Sequence, residues 1–423
     1  MSSKRPFVIR PNDGGSSTKT INQKGRKMKR ISAMFYVFSL FIILTMILYS
    51  SVIVKEAVAE TKTLKIGIIT SITGPMAPAF KPVFDAAKPA EALINEMGGI
   101  TVKGQKYNVK LIVEDDQSSP PGAIAAANKL LQDGVKFMIP PMFMPSNLAI
   151  APITEEAKIL RMKTLGSGPE EVNAQTRYSF YTCSSLYNVA PIYDFLKKAY
   201  PDAKRIAIIM PDDPGMKTPQ EFNVKAIEKR GLELVFMEPY KIGTEDYYPI
   251  LTKALEKKPD AISLVISIVP WTAGIINQSR ELGFKGPIFC AAPFGDVNLV
   301  NGIINKDYAY DLFTGATDVL SDKMPPMVKD LRKMVEQTNP PFVMDSVFAL
   351  EGLYILKQSI EAAQSLDTDK VVDTIEHMKE IDTIWGKGVW GGQEIFGINH
   401  VVKVPVPFSR IMNGKVEFEF LKQ

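Results

Sequence analysis

From residue 64 onward, short apolar runs alternate with longer amphipathic stretches, and that alternation leaves few folds open. LKIGIIT (Leu64–Thr70) fits a buried strand, and a helical stretch then runs to Met97 and stops at Gly98-Gly99. Val109–Glu114 follows as strand, Gly122–Gln132 as helix, Phe137–Pro140 as strand, Asn147–Lys158 as helix and Ile159–Thr164 as strand. The second half repeats the style, with strands at Arg205–Met210, Glu233–Glu238 and Ala261–Ile266. Its helices are Thr218–Arg230, Tyr247–Lys257 and Trp271–Leu282. Strands alternating with helices of this length predict parallel sheets covered on both faces. Two such blocks, 64–165 and 205–315, flank a stretch without a clear strand, so the pattern predicts an α/β fold with two doubly wound lobes. Helices are predicted after them at Pro326–Gln337, Val343–Ala363 and Thr368–Glu380. Val401–Phe420 reads as strand around a turn at Asn413-Gly414.

Charge is unevenly spread. The 423 residues carry 50 Lys/Arg and 46 Asp/Glu, a net +4. Ten of the bases and only two of the acids lie in residues 1–59, so the remainder is mildly acidic. No basic surface for nucleic acid is predicted. Within the leader, the basic cluster Lys24–Arg30 precedes an uncharged apolar run, Ile31–Val54, and then Ala57-Val58-Ala59. That layout predicts a secretory signal peptide cut after Ala59, with export to the periplasm or its extracytoplasmic equivalent. The competing reading is an uncleaved anchor, because an apolar run of this length spans a bilayer.

Several chemistries are missing. There is no P-loop, no H-E-x-x-H and no C-x-x-C. The single G-x-G-x-x-G match (Gly386, Gly388, Gly391) follows no predicted strand and opens no helix, so it lacks the context of a dinucleotide site. Ser167 sits between Gly166 and Gly168 without the spacing of a nucleophile elbow. His377 and His400 read as structural or surface residues, and Cys183 and Cys290 as unpaired thiols. No catalytic residue, metal site or cofactor is predicted.

Motifs in order along the chain carry a resemblance. They are KIGIITSITGPMA (Lys65–Ala77), INEMGGI (Ile94–Ile100), VKLIVEDDQSSP (Val109–Pro120) and AANKLLQDGVKFMI (Ala126–Ile139). GSGPEE (Gly166–Glu171), RIAIIMPDDPG (Arg205–Gly215), RELGFKGPIF (Arg280–Phe289), FALEGLYILKQSIEAA (Phe348–Ala363) and NGKVEF (Asn413–Phe418) follow. Together they resemble the type I periplasmic solute-binding proteins, the leucine/isoleucine/valine-binding class that serves ABC importers. The likeness covers Leu64–Phe420. It implies two lobes joined by three crossover strands, near Thr182–Ser184, Gly315–Thr317 and Val402–Val406, that close on ligand by a hinge. One lobe would comprise 60–182 with 316–402, the other 183–315 with 403–423. A small-molecule solute, the membrane permease of an ABC importer and a monomeric state are implied as well.

In the amino-acid binders of this class, hydroxyls and backbone N–H groups of the first lobe hold the ligand carboxylate. The matching loops here are Pro141–Asn147 and Leu165–Glu170, which offer Ser146, Gly166 and Ser167. Ser146 equally reads as the N-cap of the following helix. Phe342 matches an aromatic that lines the cleft. The ammonium-binding glutamate falls at Phe294, the tyrosine before Gly215 falls at Pro214, and another aromatic position falls at Val269, beside Trp271. Met142, Phe143 and Met144 replace small residues. The cleft is therefore expected to have lost its amine acceptor and gained apolar surface, with Asp296 either a substitute acceptor or a solvated loop acid. The expected ligand is a carboxylate with an apolar or aromatic body, contacted by Ser146, Gly166, Ser167, Phe143, Trp271, Phe294 and Phe342. The alternatives are a sensory domain of an extracytoplasmic receptor and an amino-acid binder that uses Asp296.

Overall fold

The computed structural model describes residues 34–46, 61–166, 168–338 and 340–421. Residues 34–46 form a helix, α1, whose large apolar side chains are exposed. No helix among the described residues is long and apolar enough to cross a membrane. The predicted cleavage site, Ala57-Val58-Ala59, and the basic cluster Lys24–Arg30 lie outside the described residues.

The chain from Thr61 is a separate unit built on two sheets. In the first, β1 (Lys62–Thr70) lies between β3 (Gln105–Asp115) and β4 (Phe137–Ile139), parallel to both. Alternate residues of β1 serve opposite faces, as the pleat requires. Ile66 and Ile68 enter the large core that includes α11 (Phe348–Ala363), and Ile69 enters the core under α3 (Pro120–Gln132). Gly67 leaves room for Leu130 on that second face, since a Cβ there would stand 2.7 Å from it. Parallel pairing continues through β5 (Leu160–Lys163) and β6 (Ser179–Tyr181) to β14 (Val401–Lys403).

The second sheet centres on β7 (Arg205–Pro211), parallel to β8 (Glu233–Tyr240) and β9 (Ala261–Ser263). Ile206, Ile208 and Met210 pack on one face, and Ala207 and Ile209 on the other. This two-sided burial explains the uninterrupted apolar run. β10 (Ile288–Cys290) and β11 (Leu312–Thr314) extend the sheet in parallel, and β15 (Val406–Met412) and β16 (Lys415–Leu421) close it as an antiparallel hairpin. The chain passes between the sheets three times: after β6, after β11, and between β14 and β15.

Some elements differ from the sequence reading. The stretch between the two blocks holds β6 and α5 (Leu186–Ala199). β6 is three wholly buried residues, too short to show a period, and Pro191 interrupts the helical pattern of α5. The predicted helix to Glu380 stops with α12 (Thr368–His377), and Glu380–Thr383 instead pairs with Gly386–Gly391 as an edge hairpin. The glycine match thus lies on a strand. His400 is buried, stacked on Phe180 and bonded to Ser179 and Glu376, and both cysteines are free.

Candidate functional site

A cleft of about 340 Å³ opens where the two sheets face each other, within the usual range for small-ligand sites of roughly 300–1,000 Å³. A second cavity, about 50 Å³, sits at the crossovers beside Cys183, Gly315 and Val404 and is too small for more than a water or two.

The cleft walls are loops at the carboxyl ends of parallel strands. In the first lobe, Met142 and Phe143 lead out of β4 into α4 (Met144–Glu156). Leu165 turns left-handed after β5 (φ 50°) and reaches the same wall. In the second lobe, Val265 does the same after β9 (φ 58°), a strained conformation for a β-branched residue. It carries Ile266–Val269 over the cleft, with Trp271 on the opening turn of α8 (Val269–Glu281). Gly295 meets this loop so closely that a Cβ would stand 2.6 Å from the Val269 nitrogen, and its φ of +85° suits glycine.

The predicted site residues divide. Phe143, Trp271 and Asp296 line the cleft. Phe294 does not: its side chain is wholly buried in the core of the second lobe, one residue before the left-handed turn at Gly295. Phe342 is likewise packed in the first lobe's core, and its neighbours Pro341 and Val343 reach the cleft instead. Gly166 is off the lining and gives Tyr181 room, since a Cβ there would stand 2.2 Å from that ring. Ser146 is no N-cap, because α4 starts two residues earlier with Pro145 in its first turn. Its buried hydroxyl has no partner among the described residues and is not on the lining. Ser167 lies outside the described residues.

Asp296 is neither a solvated acid nor a free acceptor. It is 3% exposed and caps α9 (Val297–Ile303), accepting from the Asn298 and Leu299 amides at 2.9 and 3.0 Å. Its second oxygen accepts from the Met344 amide of the first lobe at 2.8 Å. Burial, chiefly, raises its pKa. Further bonds join the lobes, among them Thr218 donating to Glu170 at 2.7 Å, Asn298 to Asp318 at 2.8 Å and Lys323 to the Phe418 carbonyl at 2.6 Å.

Two other acids line the cleft and escaped the sequence reading. Asp213 follows β7 and accepts from the Gly215 amide at 2.7 Å. Asp345 lies in the short turn Met344–Val347 ahead of α11, and the partner found for its carboxylate among the described residues is its own backbone amide. Burial, with the Asp296 carboxylate beside it, pushes its pKa up to about 7. Its only sequence signal was an acid inside the apolar run PFVMDSVFAL. The remaining described lining is mainly apolar, with methionines 76, 142, 144, 216 and 344, Phe80 and Phe348, and it includes no Lys, Arg or His.

Below the first-lobe wall is a second group of charges, largely closed off from solvent. Lys163 pairs with Glu171, which also accepts from Asn147 at 2.7 Å and Tyr181 at 2.8 Å. Arg161 pairs with Glu155 at 3.1 Å and bonds Ser179 and Asn147. Burial lowers the pKa of both bases, against the pull of the two glutamates.

A family model described as "Periplasmic binding protein" matches residues 63–414. A Leu/Ile/Val-binding protein homologue of Brucella melitensis is 27% identical over 337 residues, 78% of this chain and 88% of that one. A branched-chain amino acid transporter substrate-binding protein of Streptococcus pneumoniae, solved with isoleucine, superposes with a TM-score of 0.69 at 18% identity. It covers 86% of this chain and 100% of its own. A solute-binding protein of an ABC transporter from Rhodopseudomonas palustris, solved with p-hydroxybenzoic acid, gives 0.69 at 20% identity, covering 85% and 96%. At these identities the solved structures are alike in fold.

Proposed function

The chain belongs to the periplasmic binding protein family, and from that premise we propose that it captures a small organic solute with an apolar body in the interlobe cleft and delivers it to the membrane permease of an ABC importer. The family consists of solute-binding proteins, not enzymes. The observation that carries the reading is the cleft itself, about 340 Å³ of mainly apolar wall with both lobes contributing. Burying one large apolar side group of a ligand there contributes roughly 1.5–3 kcal/mol. The relatives support the scale of the solute, since isoleucine and p-hydroxybenzoic acid are what two solved neighbours hold.

The leader fits this role, with the basic cluster, apolar run and Ala57-Val58-Ala59 placing the exported start at Glu60. Intact-mass measurement of protein from the native envelope checks that start; a chain retaining 31–54 favours an anchored form. The carboxylate end expected from sequence rested on Ser146, Gly166 and Ser167. Neither Ser146 nor Gly166 is on the described lining and Ser167 lies outside the described residues, so the apolar half of that expectation draws support from the cleft and the carboxylate half from the solved neighbours.

A thermal-shift screen of the mature chain against amino acids, aromatic and aliphatic acids, amines, alcohols and sugars tests the reading. A ligand at about 100 times its dissociation constant adds roughly 2.7 kcal/mol. The absence of any hit across the library counts against a solute-binding role.

A further inference from the structure

We propose that the cleft selects a protonated amine carried on an apolar or aromatic body, with Asp345 as the acceptor and Asp213 supporting it from the other lobe. This rests on the solute-binding reading and deepens it.

The charge of the lining is one-sided. Its ionisable side chains are Asp213, Asp296 and Asp345, and no base faces them among the described lining residues. Asp296 is occupied, with both oxygens bonded to backbone amides, so it holds the lobes together and has little left to offer a ligand. Asp213 spends one oxygen on its own turn. Asp345 is held only by its own amide and lies on the cleft lining next to a second carboxylate. A half-buried acid in that position is a cost to the empty protein unless something positive arrives. An anionic ligand would meet like charge from both lobes, an arrangement interfaces use to exclude partners. The only hydroxyls on the described lining are those of Ser185 and Ser267, and Ser267 already accepts from Thr272 and donates to Tyr240.

The rest of the wall suits the remainder of such a ligand. Trp271, Phe80, Phe143 and Phe348 offer ring faces that attract cations as well as apolar groups. The five methionines adapt to irregular shapes. A zwitterionic amino acid adds a carboxylate that shares the cleft with Asp213 and Asp345, with no base on the described lining to offset it, so leucine and phenylalanine are expected to bind more weakly than the amines.

Calorimetry on the mature chain at pH 7 separates the classes on one framework: phenethylamine, 2-phenylethanol, phenylacetate and phenylalanine, with hexylamine as the aliphatic case. The amines are expected to bind, and the alcohol, acid and amino acid to bind at least about thirtyfold more weakly. Asp345→Asn, isosteric and uncharged, should weaken amine binding roughly thirty- to several-thousand-fold while leaving the alcohol unaffected. Asp213→Asn should have a smaller effect of the same sign. A melting curve shows that each variant is folded. Amine affinity unchanged in Asp345→Asn overturns the inference, as does an acid or amino acid binding more tightly than every amine. If another class binds and amines do not, the inference falls and the solute-binding reading stands; if no class in the wider library binds, the reading itself falls.

Discussion

The protein holds two groups of charge, one under the first-lobe wall and one in the cleft, and they are built on opposite plans. Under the first-lobe wall, Arg161 and Lys163 face Glu155 and Glu171, and Asn147, Ser179 and Tyr181 take up the remaining lone pairs. In the cleft, Asp213, Asp296 and Asp345 face no base on the described lining. The first group is balanced and sealed, as charges kept for structure must be. The second is unbalanced where the molecule is open. That contrast separates a scaffold from a binding surface more sharply than burial alone does.

The largest effect should come from unbalancing the sealed group. Lys163→Met leaves Glu171 buried and unpaired and is expected to cost about 3–5 kcal/mol, read by urea denaturation. Lys163→Met with Glu171→Leu should recover much of that loss; a double variant no better than the single would mean that the pair is not the unit. Asp296→Ala removes the cap of α9 and the bond to Met344, for an expected loss of about 1–2 kcal/mol. Small-angle scattering should then show a larger radius for the ligand-free variant, with ligand restoring the compact form. An unchanged radius would mean that the Asp296 bond does not hold the lobes together.

Asp345→Asn should move stability the other way. The carboxyl's pKa is raised in the folded chain, from 3.8 to about 7. Well below pH 3.8 it is protonated whether folded or not and costs nothing; as pH rises toward 7 the unfolded chain releases the proton and the folded chain resists, so stability falls. The variant is therefore expected to gain about 1–2 kcal/mol at pH 7, discounted for its partial exposure, and nothing well below pH 3.8. Melting at the two pH values checks this, and equal gains at both would refute the linkage. The smallest effect belongs to the rim. Thr218→Val deletes the bond to Glu170 and should cost about 0.5–1.5 kcal/mol, with a faster ligand off-rate in stopped flow as its sign.

Much of the fold was legible because its signals are local. The apolar run of β1 and the glycine stop after α2 (Ala77–Glu96) follow from backbone and burial rules that act within a few residues. What escaped was short or contextual: three-residue β6, and the edge hairpin Glu380–Gly391, whose first strand alternates over only four positions. The site was legible in part. Phe143 and Trp271 reach the cleft as expected, whereas Phe294 and Phe342 were assigned by position along a family pattern and turn into the cores.

By itself, the order of residues determined two parallel-sheet lobes, their family and a basic, apolar leader, because periodicity, turn chemistry and composition are properties of neighbouring residues. Only the tertiary structure decided which way side chains face at the cleft. On either side of the left-handed Gly295, Phe294 packs into the core and Asp296 bridges the lobes. Asp345 became a cleft acid because the turn that carries it meets the second lobe. Direction at a turn depends on what packs behind it, and residues far apart in sequence supply that.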